Sequence, residues 1–175
     1  MALNAYEPAV LALADALRAR SWRLATAESC TGGLIAAACT AVAGSSDWFE
    51  RGFVTYSNAA KTDLLGVDAA LIAAHGAVSE PVALAMARGA LAHAPVQLAV
   101  AVTGIAGPGG AVPGKPVGTV WLAWADACGA QAERLQLDGD RAAVREQTVH
   151  AALSRLLARL LSRAASGPGS DVGSG

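Results

Sequence analysis

The sequence predicts an α/β fold: a three-layer α/β/α sandwich built on a mixed, mostly parallel sheet. Three observations carry that prediction. Strand-length apolar runs at 22–27, 49–56, 96–102 and 117–125 are interleaved with segments whose apolar residues recur at helical spacing. The run at 96–102 (Val-Gln-Leu-Ala-Val-Ala-Val) is almost continuously apolar, as a strand covered by helices on both faces must be. Segments 117–125 and 130–137 are separated only by a short turn at 126–129, which predicts a hairpin and so an antiparallel component in the sheet.

Each element follows from a local cue. Residues 5–20 place Tyr6, Val10, Leu13 and Leu17 on one helical face, with Glu7, Asp15 and Arg18 off it. Residues 22–27 make a short strand. Residues 31–43 read as a helix apolar on nearly all sides, hence buried or at a subunit interface, and ended by Gly44. After a turn at Gly44-Ser45-Ser46, residues 49–56 form a strand. Ser57 and Asn58 are caps for a short helix to Leu65, which Gly66 closes. Residues 68–74 supply a further helical turn or two before His75-Gly76. Glu80-Pro81 opens another helix, proline being suited to a first turn, with Val82, Met86 and Leu91 among its apolar residues. The strand at 96–102 runs into a loop, 103–118, with six glycines and three prolines. A loop of that length in a compact domain is usually functional or else a disordered connector. Asp140 caps a final helix to about residue 163, with Val149, Leu153, Leu156 and Leu160 on one face. Residues 1–165 thus read as one domain and 166–175 as a flexible Gly/Ser-rich tail.

Composition excludes several classes of function. The 175 residues are 54% hydrophobic and 15% charged, which rules out disorder for most of the length. A net charge of −1 supplies no basic field for nucleic acid or an anionic membrane. No apolar run reaches the roughly 20 residues that span a bilayer, and the N-terminus lacks the pattern of a signal peptide. Cys30, Cys39 and Cys128 are odd in number and widely spaced, so they predict neither a disulfide framework nor a zinc site. A cytoplasmic protein with reduced thiols and no metal is expected.

Chemistry concentrates in a few stretches. Thr26-Ala27-Glu28-Ser29-Cys30-Thr31-Gly32-Gly33 joins a strand to a helix and puts Ser29 at or beside the helix N-terminus. Ser29 there is either an N-cap or a nucleophile whose oxyanion the backbone N–H groups would receive. Cys30 is a rival nucleophile, although small buried cysteines are common. In Tyr56-Ser57-Asn58-Ala59-Ala60-Lys61 the lysine falls in a first helical turn, where the dipole lowers its pKa and burial would lower it further. A lysine neutral near pH 7 takes a proton from a serine hydroxyl; the alternative is a solvated surface lysine. Thr103-Gly104-Ile105-Ala106-Gly107-Pro108-Gly109-Gly110 follows a buried strand, where α/β sheets place ligand loops. Its continuation through Gly114-Lys115-Pro116 is not a P-loop, because Pro116 replaces the hydroxyl residue and a strand follows. Arg141 and Arg145 lie one turn apart at a helix start and either bind a phosphate or pair with Asp138, Asp140 or Glu146. His75 and His93 have no carboxylate or cysteine partner at ligand spacing and read as structural or surface residues, and His150 lies on the last helix among polar positions. Trp48, Trp121 and Trp124 read as core or interface anchors.

Taken together and in order, these motifs resemble the CinA C-terminal domain family. The resemblance runs over about residues 5–163. It rests on Ala27-Glu28-Ser29-Cys30-Thr31-Gly32-Gly33, on Gly44-Ser45-Ser46 with Phe49, and on Gly52-Phe53-Val54-Thr55-Tyr56-Ser57-Asn58 with Lys61. His75-Gly76-Ala77-Val78-Ser79-Glu80, Thr103-Gly104-Ile105-Ala106-Gly107-Pro108, Lys115-Pro116-Val117-Gly118-Thr119-Val120 and Gly139-Asp140-Arg141 with Arg145 complete it. The resemblance implies an α/β/α fold, a homodimer and no metal or other cofactor. It implies hydrolysis of the carboxamide of nicotinamide mononucleotide to nicotinate mononucleotide and ammonia, in pyridine nucleotide salvage. Carried over by position, Ser29 is the nucleophile, Lys61 its base and Tyr56 a proton relay. Thr31, Gly32 and Gly33 supply oxyanion N–H groups. Thr103, Gly104 and Gly107, with Arg141 and Arg145, hold the substrate and its phosphate. The alternative within the family is a non-catalytic nucleotide- or protein-binding module of the competence/damage-inducible type.

Overall fold

A computed structural model of the chain describes residues 3–165. The elements, in order, are α1 (Glu7–Arg18), β1 (Leu24–Glu28), α2 (Leu34–Thr40), β2 (Phe49–Val54), α3 (Asn58–Leu65) and α4 (Ala69–His75). They continue with α5 (Glu80–Ala92), β3 (Leu98–Gly104), β4 (Thr119–Asp126), β5 (Gly129–Gln136) and α6 (Arg141–Ala165). Short 3-10 turns at Leu3–Tyr6 and Ser45–Asp47 precede α1 and β2.

The five strands form one mixed sheet in the order β2-β1-β3-β4-β5. β1 pairs in parallel with β2 and β3, and β4 pairs antiparallel with β3 and β5. Four strands therefore run one way and β4 alone runs the other. The hairpin read from the sequence is the β4–β5 ladder, from Thr119 opposite Gln136 to Asp126 opposite Gly129.

Strand alternation sorts the core into two layers. Leu98, Val100 and Val102 of β3 face one side with Leu24 and Leu122, against Val10, Leu13 and Leu17 of α1, Ile35 of α2, and Val149, Leu153, Leu156 and Leu160 of α6. Ala99 and Ala101 face the other with Ala27, Ala123 and Ala125, against Leu65 of α3, Ile72 of α4, and Val82, Met86 and Ala90 of α5. The α5 face of the sheet is thus paved with alanine, which lets α5 lie close. The three layers of the predicted sandwich are these two helical layers and the sheet between them. Trp48 is fully buried and Trp124 half-buried in the first layer, and Trp121 packs at the edge of the second.

The differences from the sequence reading have local causes. β1 starts at Leu24 and β3 ends at Gly104, each two residues later than expected. Residues 68–74 do form a helix, α4, because Asp68 caps it by accepting from Ala70 N at 2.8 Å. The apolar helix expected over 31–43 is only the seven residues of α2. Gly32 and Gly33 adopt positive φ (61° and 97°), so 29–33 is a turn rather than a first helical turn. The glycine-rich connection to β4 is anchored: Lys115 Nζ donates to His75 O at 3.0 Å and Arg134 Nη2 to Gly114 O at 2.8 Å. The expected tail, 166–175, lies outside the described residues.

Candidate active site

β1 delivers the site. Along the strand Leu24 and Glu28 face α2 and α6 while Ala27 faces α5, so Ser29 leaves the strand on the side opposite Glu28. Its backbone is fixed twice, Ser29 N donating to Val102 O at 3.0 Å and Ser29 O accepting from Gly32 N at 3.1 Å. Ser29 does not cap α2: the N-cap is Gly33, with no capping side chain of its own.

Lys61 comes from α3. Ser57 caps that helix, accepting from Ala60 N at 3.0 Å, and Lys61 projects from its first turn into the protein. The side chain is buried, with 1% of the residue exposed. Nζ lies 3.2 Å from Ser29 Oγ, 2.8 Å from Thr55 O and 3.5 Å from Ser57 O. Burial holds the amine below the usual lysine range, and Cys30 acts in the opposite sense. Among the described residues no carboxylate lies within ion-pair distance of it. A serine hydroxyl against a desolvated, unpaired amine is the arrangement of an activated nucleophile.

Cys30 is a poor rival. It is buried beside Ser29, and burial pushes its thiol up to about 12, so the thiolate is scarce at neutral pH.

Ser29, Cys30, Tyr56, Lys61, Thr103, Gly104 and Arg141 line a cavity of about 210 Å³. Beside it lies a larger groove of about 510 Å³, lined by Pro108, Val117, Gly139, Asp140, Ala142 and Arg145. Ala106 and Arg141 belong to both. Arg141 spans the junction, donating from Nη1 to Gly107 O at 3.0 Å and from Nη2 to Tyr56 Oη at 2.9 Å. Arg145 donates from Nη2 to Thr31 O at 2.9 Å, while its buried Nε has no partner among the described residues. Neither arginine pairs with Asp138, Asp140 or Glu146; Asp140 instead caps α6 through Ala143 N at 2.9 Å.

The other candidate residues fall as follows. Gly33 N donates to Glu28 Oε2 at 3.0 Å and Gly32 N to Ser29 O, so both amides are engaged within the turn. Of the three amides expected to face an oxyanion, that leaves Thr31. Thr103 lines the cavity and its hydroxyl donates to Ala77 O at 2.9 Å, tying down the segment before α5. Gly104 and Gly107 pack against β4 and the chain leading into it: a Cβ on Gly104 would fall 2.6 Å from Val120 Cγ2, and one on Gly107 2.6 Å from Val117 Cγ1. Their want of a side chain is therefore a packing requirement. Glu28 stands in the motif that the sequence reading singles out but is assigned no role there. Its one signal there is an acidic residue ending an apolar strand, a position where a carboxylate must find several donors.

Among the described residues no group of three or more His, Cys, Asp or Glu side chains is placed to hold a metal ion, and no helix is long and apolar enough to cross a membrane.

Comparison with known proteins places this geometry in a family. The family described as the CinA C-terminal domain matches residues 7–160. The nicotinamide-nucleotide amidohydrolase PncC of Pseudomonas putida is 59% identical over 145 residues, which are 83% of this chain and 91% of that protein. The protein of the same name from Escherichia coli K12 is 53% identical over 84% of this chain and 90% of its own length. A competence-damaged protein (CinA) superfamily structure from Klebsiella pneumoniae superposes with a TM-score of 0.85 at 42% identity, covering 89% of this chain and 97% of that one. The chain belongs to the CinA C-terminal domain family.

Proposed function

We propose that the chain hydrolyses the carboxamide of nicotinamide mononucleotide to nicotinate mononucleotide and ammonia, with Ser29 as nucleophile and Lys61 as base. The names of its two amidohydrolase relatives, matched over nine-tenths of their lengths, support the substrate. The observation that carries the chemistry is the buried Lys61 Nζ, 3.2 Å from Ser29 Oγ.

A neutral amine has two N–H donors and one lone pair. Thr55 O and Ser57 O lie where they take the donors, which turns the lone pair toward the Ser29 hydroxyl. Ser29 Oγ attacks the amide carbon as its proton passes to Lys61. With Gly32 and Gly33 engaged, we assign the tetrahedral oxyanion to the amides of Cys30 and Thr31. Collapse expels ammonia, which takes the proton from the Lys61 ammonium and leaves the acyl group on Ser29. Water then attacks this ester as its proton passes to Lys61, which returns it to Ser29 Oγ as the acyl–oxygen bond breaks and nicotinate mononucleotide departs. Tyr56, at the rim and held by Arg141, is the relay that passes the proton of the Lys61 ammonium to the leaving nitrogen.

The nicotinamide occupies the smaller cavity. Ribose and phosphate extend past Ala106 and the 104–107 loop into the groove, where Arg141 and Arg145 supply positive charge. The same reading makes the protein a cytoplasmic homodimer acting in pyridine nucleotide salvage. Its test is ammonia release from nicotinamide mononucleotide by the purified wild-type chain, with nicotinate mononucleotide as co-product. No release above buffer would refute it.

A further inference from the structure

We infer that Glu28 is the positioning residue of the nucleophile: its carboxylate closes the 28–36 segment on itself and so fixes where Ser29 meets Lys61. This rests on the proposed serine mechanism but concerns a residue that mechanism does not use.

Glu28 is 1% exposed. Oε2 accepts from Thr31 Oγ1 at 2.7 Å, Gly33 N at 3.0 Å and Ile35 N at 3.0 Å; Oε1 accepts from Ala36 N at 2.8 Å and Thr26 Oγ1 at 3.2 Å. All five donors are neutral, and among the described residues no lysine or arginine pairs with the carboxylate. Burying a charge in this way is tolerated because its acceptor sites are filled.

Stabilising a seven-residue helix does not need such an arrangement. A serine or aspartate at the N-cap would serve, yet that position is Gly33 at φ 97°. What the strand-end carboxylate adds is a rigid link between the end of β1 and the start of α2, across the turn that carries Ser29. Arg145 Nη2 holds the same turn from α6 through Thr31 O. Lys61 arrives on another element, so the 3.2 Å approach depends on both being fixed independently. Glutamine is a poor replacement. Its amide nitrogen cannot accept, and would face the donors that one of the carboxylate oxygens now satisfies.

The test compares wild type with Glu28→Gln, and with Leu160→Ala as a destabilised control in the buried α1–α6 contact. Two rates are measured and normalised to the folded fraction: ammonia release from nicotinamide mononucleotide, and labelling of Ser29 by a fluorophosphonate. For Glu28→Gln, kcat falls about 100-fold, the cost of a misplaced reacting group. KM stays within about threefold, since a positioning defect is expressed in kcat. The rising limb of the pH–rate profile stays in place, because Lys61 keeps its burial. Labelling slows about tenfold or more. Leu160→Ala keeps wild-type rates per folded molecule. Rates for Glu28→Gln equal to those of the control overturn the inference, as does a loss confined to KM. If Glu28→Gln does not fold, Thr31→Val, which deletes one bond to the same carboxylate, decides. A kcat about fivefold lower at constant KM supports the inference and an unchanged kcat overturns it. A wild type without amidase activity sinks the proposed function, while the labelling rates still judge Glu28.

Discussion

Lys61 sets the pH dependence of the proposed chemistry. Its amine, buried in the first turn of α3, is held below the ordinary lysine range. The base acts when neutral, so turnover rises with pH through the folded-state pKa, and the limb lies below the free value of about 10.4. The profile of kcat/KM against pH for wild type and Lys61→Met checks this. The variant loses nearly all activity and whatever remains lacks the limb; an unchanged limb assigns the base elsewhere. Cys30 and Cys39 are both buried with thiols pushed up to about 12, whereas Cys128 is exposed. One of the three thiols should therefore react fast with an aromatic disulfide reagent at neutral pH, leaving amidase activity intact. Fast modification of Cys30 with loss of activity would return it as a nucleophile.

At the scale of elements, the sequence discloses what local rules govern. α3 is legible because Ser57 caps it and Gly66, at φ 66°, closes it, and those two residues also locate Lys61 in the first turn. The β4–β5 hairpin is legible from two strand-length segments and the short turn between them. The start of α2 is not, because a pair of left-handed glycines and a carboxylate five to eight residues upstream replace the usual cap. Nor are the roles of Arg141 and Arg145: their contacts with Tyr56 and Thr31 span 85 and 114 residues and exist only once α6 packs on the sheet. The α3–α5 contact gives a test of packing. At Gly89 alanine would gain about 1 kcal/mol of helix propensity. Its Cβ, however, would collide with the Leu65 carbonyl oxygen and lie 2.9 Å from Leu65 Cβ. Backbone cannot swing aside as a side-chain tip can, so the collision wins and Gly89→Ala loses roughly 1–3 kcal/mol. A thermal melt reads this as a lower Tm; an equal or higher Tm would show that α3 and α5 separate at little cost.

For the whole molecule, the sheet gathers the site at the C-terminal ends of its central parallel strands. β1 and β3 are parallel neighbours, so the segments leaving their C-terminal ends, 29–33 and 105–118, lie side by side, where ligands of open α/β sheets bind. α3 and α6 approach those strand ends from opposite layers and bring Lys61 and the two arginines to them. Folding thus buries an ammonium group to build the site, and stability records it. Lys61's folded pKa is lower than its unfolded value of about 10.4, so between the two the unfolded chain binds more protons and unfolding free energy rises with pH. The penalty is fully present below the folded pKa and is relieved as pH climbs through it. Denaturant melts at several pH values should show wild type gaining on Lys61→Met toward alkaline pH; parallel curves would mean that Lys61 is not desolvated.

The most direct measurement is ammonia release from nicotinamide mononucleotide by wild type and Ser29→Ala, purified side by side and checked to have the same fold. With Ser29 as nucleophile, wild type turns over and the variant loses about 10⁴-fold or more in kcat. Turnover by Ser29→Ala at the wild-type rate would contradict a nucleophilic Ser29 activated by Lys61.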